Sequence, residues 1–78
     1  MADIPIGATI RALRVHRGFT RGGLAKLMGC PPIWISKTEL GHTTPTLDSI
    51  SRFSTALGME PWRLIRHACK MRDKLEAA

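Results

Sequence analysis

Long apolar runs, clustered cysteines and strand-like patterns are all missing from this 78-residue sequence. No stretch approaches the roughly 20 apolar residues of a membrane-spanning helix, and the first ten residues lack the basic and long apolar segments of a signal peptide. These absences predict a soluble, cytoplasmic protein with no membrane partner. Because Cys30 and Cys69 lie far apart and in no metal-ligand spacing, the sequence predicts neither a disulfide framework nor a zinc site, and no cofactor.

Groupings of catalytic residues are lacking as well. The three histidines, His16, His42 and His67, are scattered along the chain. They accompany no paired carboxylates, no nucleophile and base pair, and no glycine-rich phosphate loop. The sequence therefore does not predict an enzyme.

Acidic residues are scarce relative to basic ones. Six Asp and Glu oppose twelve Lys and Arg, which gives a formal net charge of +6 on a small surface. Such a balance favours a polyanion such as nucleic acid as partner. The alternative is an ordinary solvated basic surface.

Alternating β-branched runs are absent, whereas apolar residues recur at helical spacing in short blocks. We therefore predict an all-α fold with five helices in one domain. The helices are predicted at about residues 6–17, 20–28, 31–40, 46–57 and from 61 to Lys74 or Leu75. The core face of the fourth helix is predicted from Leu47, Ile50, Phe53, Ala56 and Leu57. Residues 1–5 form an N-terminal arm, 6–66 the domain, and 67–78 an extension of the last helix with a frayed end.

The second and third predicted helices are joined by a short turn that contains Gly29 and Cys30. Two short helices at this spacing are typical of a helix-turn-helix. In such a unit the first helix crosses the DNA backbone and the second, here about Pro32 to Leu40, lies in the major groove.

Three segments carry a family resemblance, namely "IGATIRALRVHRGFTRGGLAKLMG", "ISKTELG" and "PTLDSISRFSTALGMEPWRLI". Over about residues 6–66 they resemble the lambda-repressor-like, Cro/cI-type (XRE) helix-turn-helix domain. The resemblance implies a five-helix bundle that binds double-stranded DNA sequence-specifically as a homodimer, usually to repress a bacterial or phage promoter. It also implies that Arg14 pairs with Glu39, the alternative being two unrelated surface charges.

Two segments are candidates for phosphate contacts, the first from Thr20 to Gly23 and the second from His42 to Thr44. Where the family commonly has Gln and acidic residues after the capping Thr20, this chain has Arg21, Gly22 and Gly23. The change is either drift on a tolerant surface or a site where the bare backbone at a helix N-terminus approaches a phosphate, with Arg21 adding a charge. The second candidate is the loop of His42, Thr43 and Thr44. The alternative is that this loop is only solvated and contacts no phosphate.

The resemblance places four residues of the third helix toward the bases, namely Pro32, Ile33, Ser36 and Lys37. Lys37 and Ser36 can bond to base edges or phosphates, whereas Pro32 and Ile33 can pack against thymine methyl groups. An alternative places Ile33 and Trp34 in the core, because Thr38 stands where the family usually has a large apolar residue. We expect Trp34 to be partly buried and Ile33 to be exposed toward the groove.

The last helix presents two apolar facets. Leu64, Ala68, Met71 and Leu75 form the facet predicted to pack on the bundle. Trp62, Ile65 and Cys69 form a second facet, which we predict to be a twofold dimer interface. The alternative is one broad stripe used entirely within the monomer. Two recognition helices about 34 Å apart would match a palindromic operator.

The sequence thus predicts a dimeric DNA-binding transcriptional regulator, most simply a repressor or autorepressor. The alternative is an antitoxin or adaptor of the same fold. In that case Ile33 and Trp34 would bind a protein such as a toxin, and DNA binding would be weak or secondary.

Overall fold

The computed structural model describes residues 4–77, and in that range it contains five α-helices and no strand. The helices are α1 (Ile6–His16), α2 (Arg21–Met28), α3 (Pro32–Glu39), α4 (Leu47–Ala56) and α5 (Pro61–Ala77). The predicted all-α class and five-helix architecture are therefore confirmed. Residues 1–3 of the predicted arm lie outside the described residues.

Helix α5 runs past the predicted end at Lys74 or Leu75 and includes Glu76 and Ala77. Residues 76 and 77 are glutamate and alanine, which are good helix formers. The helix therefore continues at least to Ala77, two residues beyond Leu75.

Local capping sets the beginning of two helices. The Thr20 hydroxyl accepts a hydrogen bond from the Gly23 amide at 2.9 Å at the start of α2. The Thr46 hydroxyl accepts one from the Ser49 amide at 3.1 Å at the start of α4. Each bond satisfies an amide that has no partner inside its own helix. Gly29 ends α2 with a φ of 69°, the left-handed conformation that glycine adopts without strain and that turns the chain toward α3.

The core is formed by buried side chains from all five helices and by Leu57, which directly follows α4. The helical members are Ile10, Leu24, Ala25, Ile35, Ile50, Phe53, Leu64 and Ala68. Phe53 lies at 0% exposure, and the half-buried Trp34 stacks on its ring with centroids 5.2 Å apart and planes 9° apart. The two rings connect α3 to α4. They enlarge a core that a chain of this length would otherwise keep small.

Two leucines assigned to packed faces lie at the surface. Leu47 is 79% exposed, because at 100° per residue it lies about 90° around the axis from the mean direction of Ile50, Phe53 and Leu57. Leu75 is also exposed. The Met71 sulfur still meets the Thr9 hydroxyl of α1 at 3.6 Å, but Leu75 lies one turn further along α5, past this contact.

Gly7 allows α1 to pack directly against the end of α3. A Cβ atom at Gly7 would collide with the carbonyl oxygen of Thr38 and lie 3.1 Å from that of Glu39. Both neighbours are backbone atoms, which cannot rotate aside. The absence of a side chain at Gly7 therefore fixes the distance between α1 and the C-terminal end of α3.

We expect Gly7→Ala to lower the free energy of unfolding by about 1–3 kcal/mol, because the added methyl group overpacks this contact. Urea denaturation measures the change. The matched control is Gly22→Ala, also in the first turn of a helix but with nothing within 4 Å of the added Cβ. It should leave stability unchanged or raise it by up to about 1 kcal/mol. Equal stability of the two variants would contradict the close approach at Gly7.

Candidate nucleic-acid interface

Helices α2 and α3 form a helix-turn-helix whose turn is closed by backbone hydrogen bonds. The Cys30 amide donates to the Ala25 carbonyl at 3.0 Å, and Pro31 precedes the first residue of α3 in an extended conformation. Proline is tolerated here because the first amides of a helix have no intrahelical partner. The turn thus leaves the exposed side of α3 free of covering chain.

The four residues predicted to contact bases lie on the surface of α3. Pro32, Ile33 and Lys37 are exposed and Ser36 is half-buried. Ile33 is 61% exposed, whereas Trp34 packs against the core. The expectations that Ile33 is exposed and that Trp34 is partly buried are therefore confirmed.

Trp34 and Thr38 share the inner edge of α3. Thr38 is buried, and its hydroxyl donates to the carbonyl oxygen of Trp34 at 3.0 Å. The small Thr38 side chain fills less space than a large apolar residue would, and the Trp34 ring stacked on Phe53 supplies apolar bulk one turn away. Trp34 thus belongs to the packing of α3 against the core, unlike the exposed Ile33 and Lys37.

The N-terminus of α2 presents bare backbone to solvent. Gly22 and Gly23 are exposed, and the amides of Arg21 and Gly22 have no hydrogen-bond partner among residues 4–77. Unpaired amides at the positive end of a helix dipole form an anion-binding arrangement. An anion could approach closely because the two glycines carry no side chains.

Arg21 does not project freely from this N-terminus. Its Nε donates to Oε1 of Glu39 at 3.2 Å, while 41% of its side chain remains exposed. The sequence interpretation assigned Arg21 only to a phosphate. It missed this ion pair because residues 21 and 39 meet only once α2 and α3 are packed.

Glu39 also accepts from Arg14, so one carboxylate joins three helices. Arg14 Nε lies 2.6 Å from Oε2 of Glu39 and Arg14 Nη2 lies 3.2 Å from Oε1. The two side chains are 9% and 0% exposed, and Arg14 Nη1 donates to the Phe19 carbonyl at 2.8 Å. Two guanidinium groups thus neutralise the only acidic residue of α2 and α3 and lock the end of α3 to α1 and α2.

The loop after α3 is exposed at His42, Thr43 and Thr44. The His42 amide donates to the Lys37 carbonyl at 2.9 Å, and the Thr43 hydroxyl lies 3.4 Å from that of Thr38. The loop therefore begins at the end of α3 that Glu39 ties to Arg21. The structure brings the two predicted phosphate-contacting segments to the same end of α3.

The residues predicted at a dimer interface lie on the outer side of α5. Trp62 is 55% exposed, with the Arg63 guanidinium carbon 5.3 Å from its ring centroid. Ile65 and Cys69 are half-buried, and Ile65 packs partly against the core. Part of this facet is thus used within the monomer, and Trp62 is its most exposed member.

Two negative observations apply to residues 4–77. No group of three His, Cys, Asp or Glu side chains lies close enough to hold a metal ion. No helix in this range is long and apolar enough to cross a membrane.

Comparisons with known proteins identify a family and solved structures that are similar to this chain. A family model described as a helix-turn-helix domain matches residues 5–68. The restriction-modification controller protein C.AhdI from Aeromonas hydrophila is 31% identical, with a TM-score of 0.72 over 78% of this chain and 92% of that chain. The clp gene regulator ClgR from Corynebacterium glutamicum is 23% identical, with a TM-score of 0.86 over 95% of this chain and 79% of that chain. No curated protein matches the sequence. The resemblance deduced from the sequence motifs is confirmed.

We expect Arg14→Gln to lower the free energy of unfolding by about 3 kcal/mol, because it leaves the buried Glu39 carboxylate with only its weaker partner. Arg21→Gln should cost less than about 1 kcal/mol, because its side chain is 41% exposed. The double variant Arg14→Gln, Glu39→Gln should recover part of the loss, since it removes the buried charge. Chemical denaturation compares the three, and equal costs for the two single variants would contradict this assignment.

Proposed function

Because the chain belongs to the helix-turn-helix domain family, we propose that it is a dimeric, sequence-specific DNA-binding regulator of transcription, acting most simply as a repressor of its own promoter. The observation that carries the proposal is the exposed side of α3. It holds Lys37 and Ile33 at the surface while the acidic residue of the same helix, Glu39, is buried between two arginines.

Burial of Glu39 matters for the approach of DNA. An exposed carboxylate on α3 would repel phosphates, whereas this one is neutralised by Arg14 and Arg21. Lys37 is then the uncompensated charge on α3. In the major groove it would bond to guanine or a phosphate, with Ser36 beside it, while Pro32 and Ile33 pack against thymine methyl groups.

Phosphate contacts would fix α3 in the groove. We assign them to the α2 N-terminus, from Thr20 to Gly23, and to the loop at residues 42–44. Both are exposed except for the half-buried Arg21, and both lie near the Glu39 end of α3. Contacts of this kind position a protein on the duplex, and they confer the salt dependence that distinguishes DNA binding from an apolar interaction.

A second copy of the chain would complete the dimer that binds DNA. We assign the twofold contact to Trp62, Ile65 and Cys69, in which Trp62 supplies the exposed aromatic surface. A twofold arrangement presents two α3 helices to a palindromic operator about one helical turn apart.

Binding to DNA from just upstream of the gene, compared with shuffled DNA across a salt series, tests the reading function. We expect tight binding that prefers the upstream sequence and weakens steeply with salt.

Lys37→Ala should cost about 1–3 kcal/mol of binding free energy on the preferred sequence and less on shuffled DNA, because a base contact is lost. Lys70→Ala, which removes an exposed charge from α5, is the control and should lose little. An equal loss on both DNAs would make Lys37 a phosphate contact only.

Sedimentation of a charged variant tests the dimer. Trp62→Glu should convert the protein to a monomer and weaken operator binding, because it places a carboxylate in the twofold contact. Val15→Glu is the matched control, since Val15 is similarly exposed at 59% but lies on α1. It should leave the dimer intact. A dimer that survives Trp62→Glu would contradict the assigned interface.

A second candidate function is a protein-interaction module, favoured by the exposed Ile33 on α3. In that case the chain would bind a protein such as a toxin through Ile33. The salt series separates the two functions, because weak binding to both DNAs with little salt dependence would favour the protein partner.

A further inference from the structure

Arg52 of α4 holds its guanidinium group against the helix-turn-helix, although no motif in the sequence assigned it a role. Its Cζ atom lies 5.3 Å from the centroid of the Trp34 ring, and its Nη2 donates to the Met28 carbonyl at 3.3 Å. The Trp34 ring is itself stacked on the buried Phe53. The guanidinium group therefore rests on an aromatic surface that is fixed to the core.

The position of Arg52 places it beside the exposed side of α3. Arg52, Trp34, Ile33 and Lys37 line one open cleft together with the turn that precedes α3. Most of the cleft lining belongs to the turn before α3 and to the first residues of α3, whereas Glu39 holds Arg21 at the other end of this helix. Arg52 thus brings a positive charge to the end of α3 that has no predicted phosphate contact.

The charge of Arg52 has no acidic partner close by. Among residues 4–77, no carboxylate lies within 4 Å of its guanidinium nitrogens, whereas Arg14, Arg21 and Arg72 each form an ion pair. Asp48 stands one turn earlier on α4, but the two are not paired. One protein hydrogen bond uses one of the five N–H groups of a guanidinium, so the others remain available to an external acceptor.

We propose that Arg52 binds a DNA phosphate at the N-terminal end of α3 and that Trp34 is the positioning residue that holds it there. This inference rests on the proposed DNA-binding function. A phosphate contact at each end of α3 would fix the angle of the helix in the groove as well as its depth. A guanidinium group that lies over a ring still has N–H groups available to bond a phosphate.

A purely structural role for Arg52 is the alternative to be tested. Met28 is the last residue of α2, so its carbonyl lies at the negative end of the helix dipole and attracts a cation regardless of DNA. Arg52→Gln retains an amide that can donate to this carbonyl but removes the charge. The number of phosphates neutralised, read from the dependence of the dissociation constant on salt, separates the two roles.

For Arg52→Gln we expect the slope of log K against log salt to become shallower by about 0.9, the contribution of one phosphate. Affinity at low salt should fall roughly tenfold, as for one lost charge-assisted bond. The matched control is Arg63→Gln. The Arg63 guanidinium carbon lies over the Trp62 ring at the same 5.3 Å from its centroid, but on α5. For Arg63→Gln the slope of log K against log salt should equal that of the unchanged protein. All measurements use concentrations at which the unchanged protein and both variants have the same oligomeric state by sedimentation.

Trp34→Leu tests the positioning role. Leucine keeps an apolar contact with Phe53 but removes the ring beneath Arg52. We expect a loss of affinity that does not add to that of Arg52→Gln, so that the double variant binds no more weakly than Arg52→Gln alone. Additive losses would show that Trp34 acts independently of Arg52 and would overturn its assignment.

The remaining outcomes are distinct. An unchanged slope in Arg52→Gln together with a lowered Tm would show a structural tie to α2 and overturn the inference, while leaving the proposed function in place. An equal change of slope in Arg63→Gln would show an effect of net charge and also overturn it. If the unchanged protein shows no salt-dependent binding to DNA, the proposed function and this inference both fail.

Discussion

The carboxylate of Glu39 is the point on which the arrangement of the first three helices depends. It is fully buried, it receives Arg14 of α1 and Arg21 of α2, and it belongs to α3. A buried charge without partners would be strongly destabilising, so α3 docks where Arg14 reaches Glu39, and the partly exposed Arg21 adds a weaker contact. The close approach at Gly7 then sets the distance of α3 from α1. The interaction that holds α3 also removes the acidic charge from the exposed side of α3, the side that we propose to contact DNA.

The core-facing side and the solvent-facing side of α3 differ in composition, and Trp34 lies at the boundary between them. Toward the core, Ile35 is buried and Trp34 stacks on Phe53. Toward solvent, Ile33 and Lys37 are exposed. A chain of this length can bury only a small apolar core. An aromatic ring at the boundary therefore adds to the core with one face and, in our proposal, orients Arg52 for DNA with the other.

Helix positions could be predicted from the sequence because local signals determine them. The capping threonines Thr20 and Thr46 and the glycine Gly29 act on their own neighbours in the chain. Contacts between helices could not be predicted in the same way. Arg21 turns toward Glu39 and Arg52 reaches Trp34 only after packing, and periodicity alone placed Leu47 on the wrong face.

The measurement that tests the central claim most directly is an NMR titration of the backbone amides with a short DNA duplex at low salt. Because phosphate contacts alone support nonspecific binding at low salt, the operator sequence need not be known. We predict that the amides that shift are those of α3 around Ile33 and Lys37 and of the α2 N-terminus, with the outer side of α5 unchanged. Shifts confined to α5, or no shifts at all, would contradict the assignment of α3 as the helix that enters DNA.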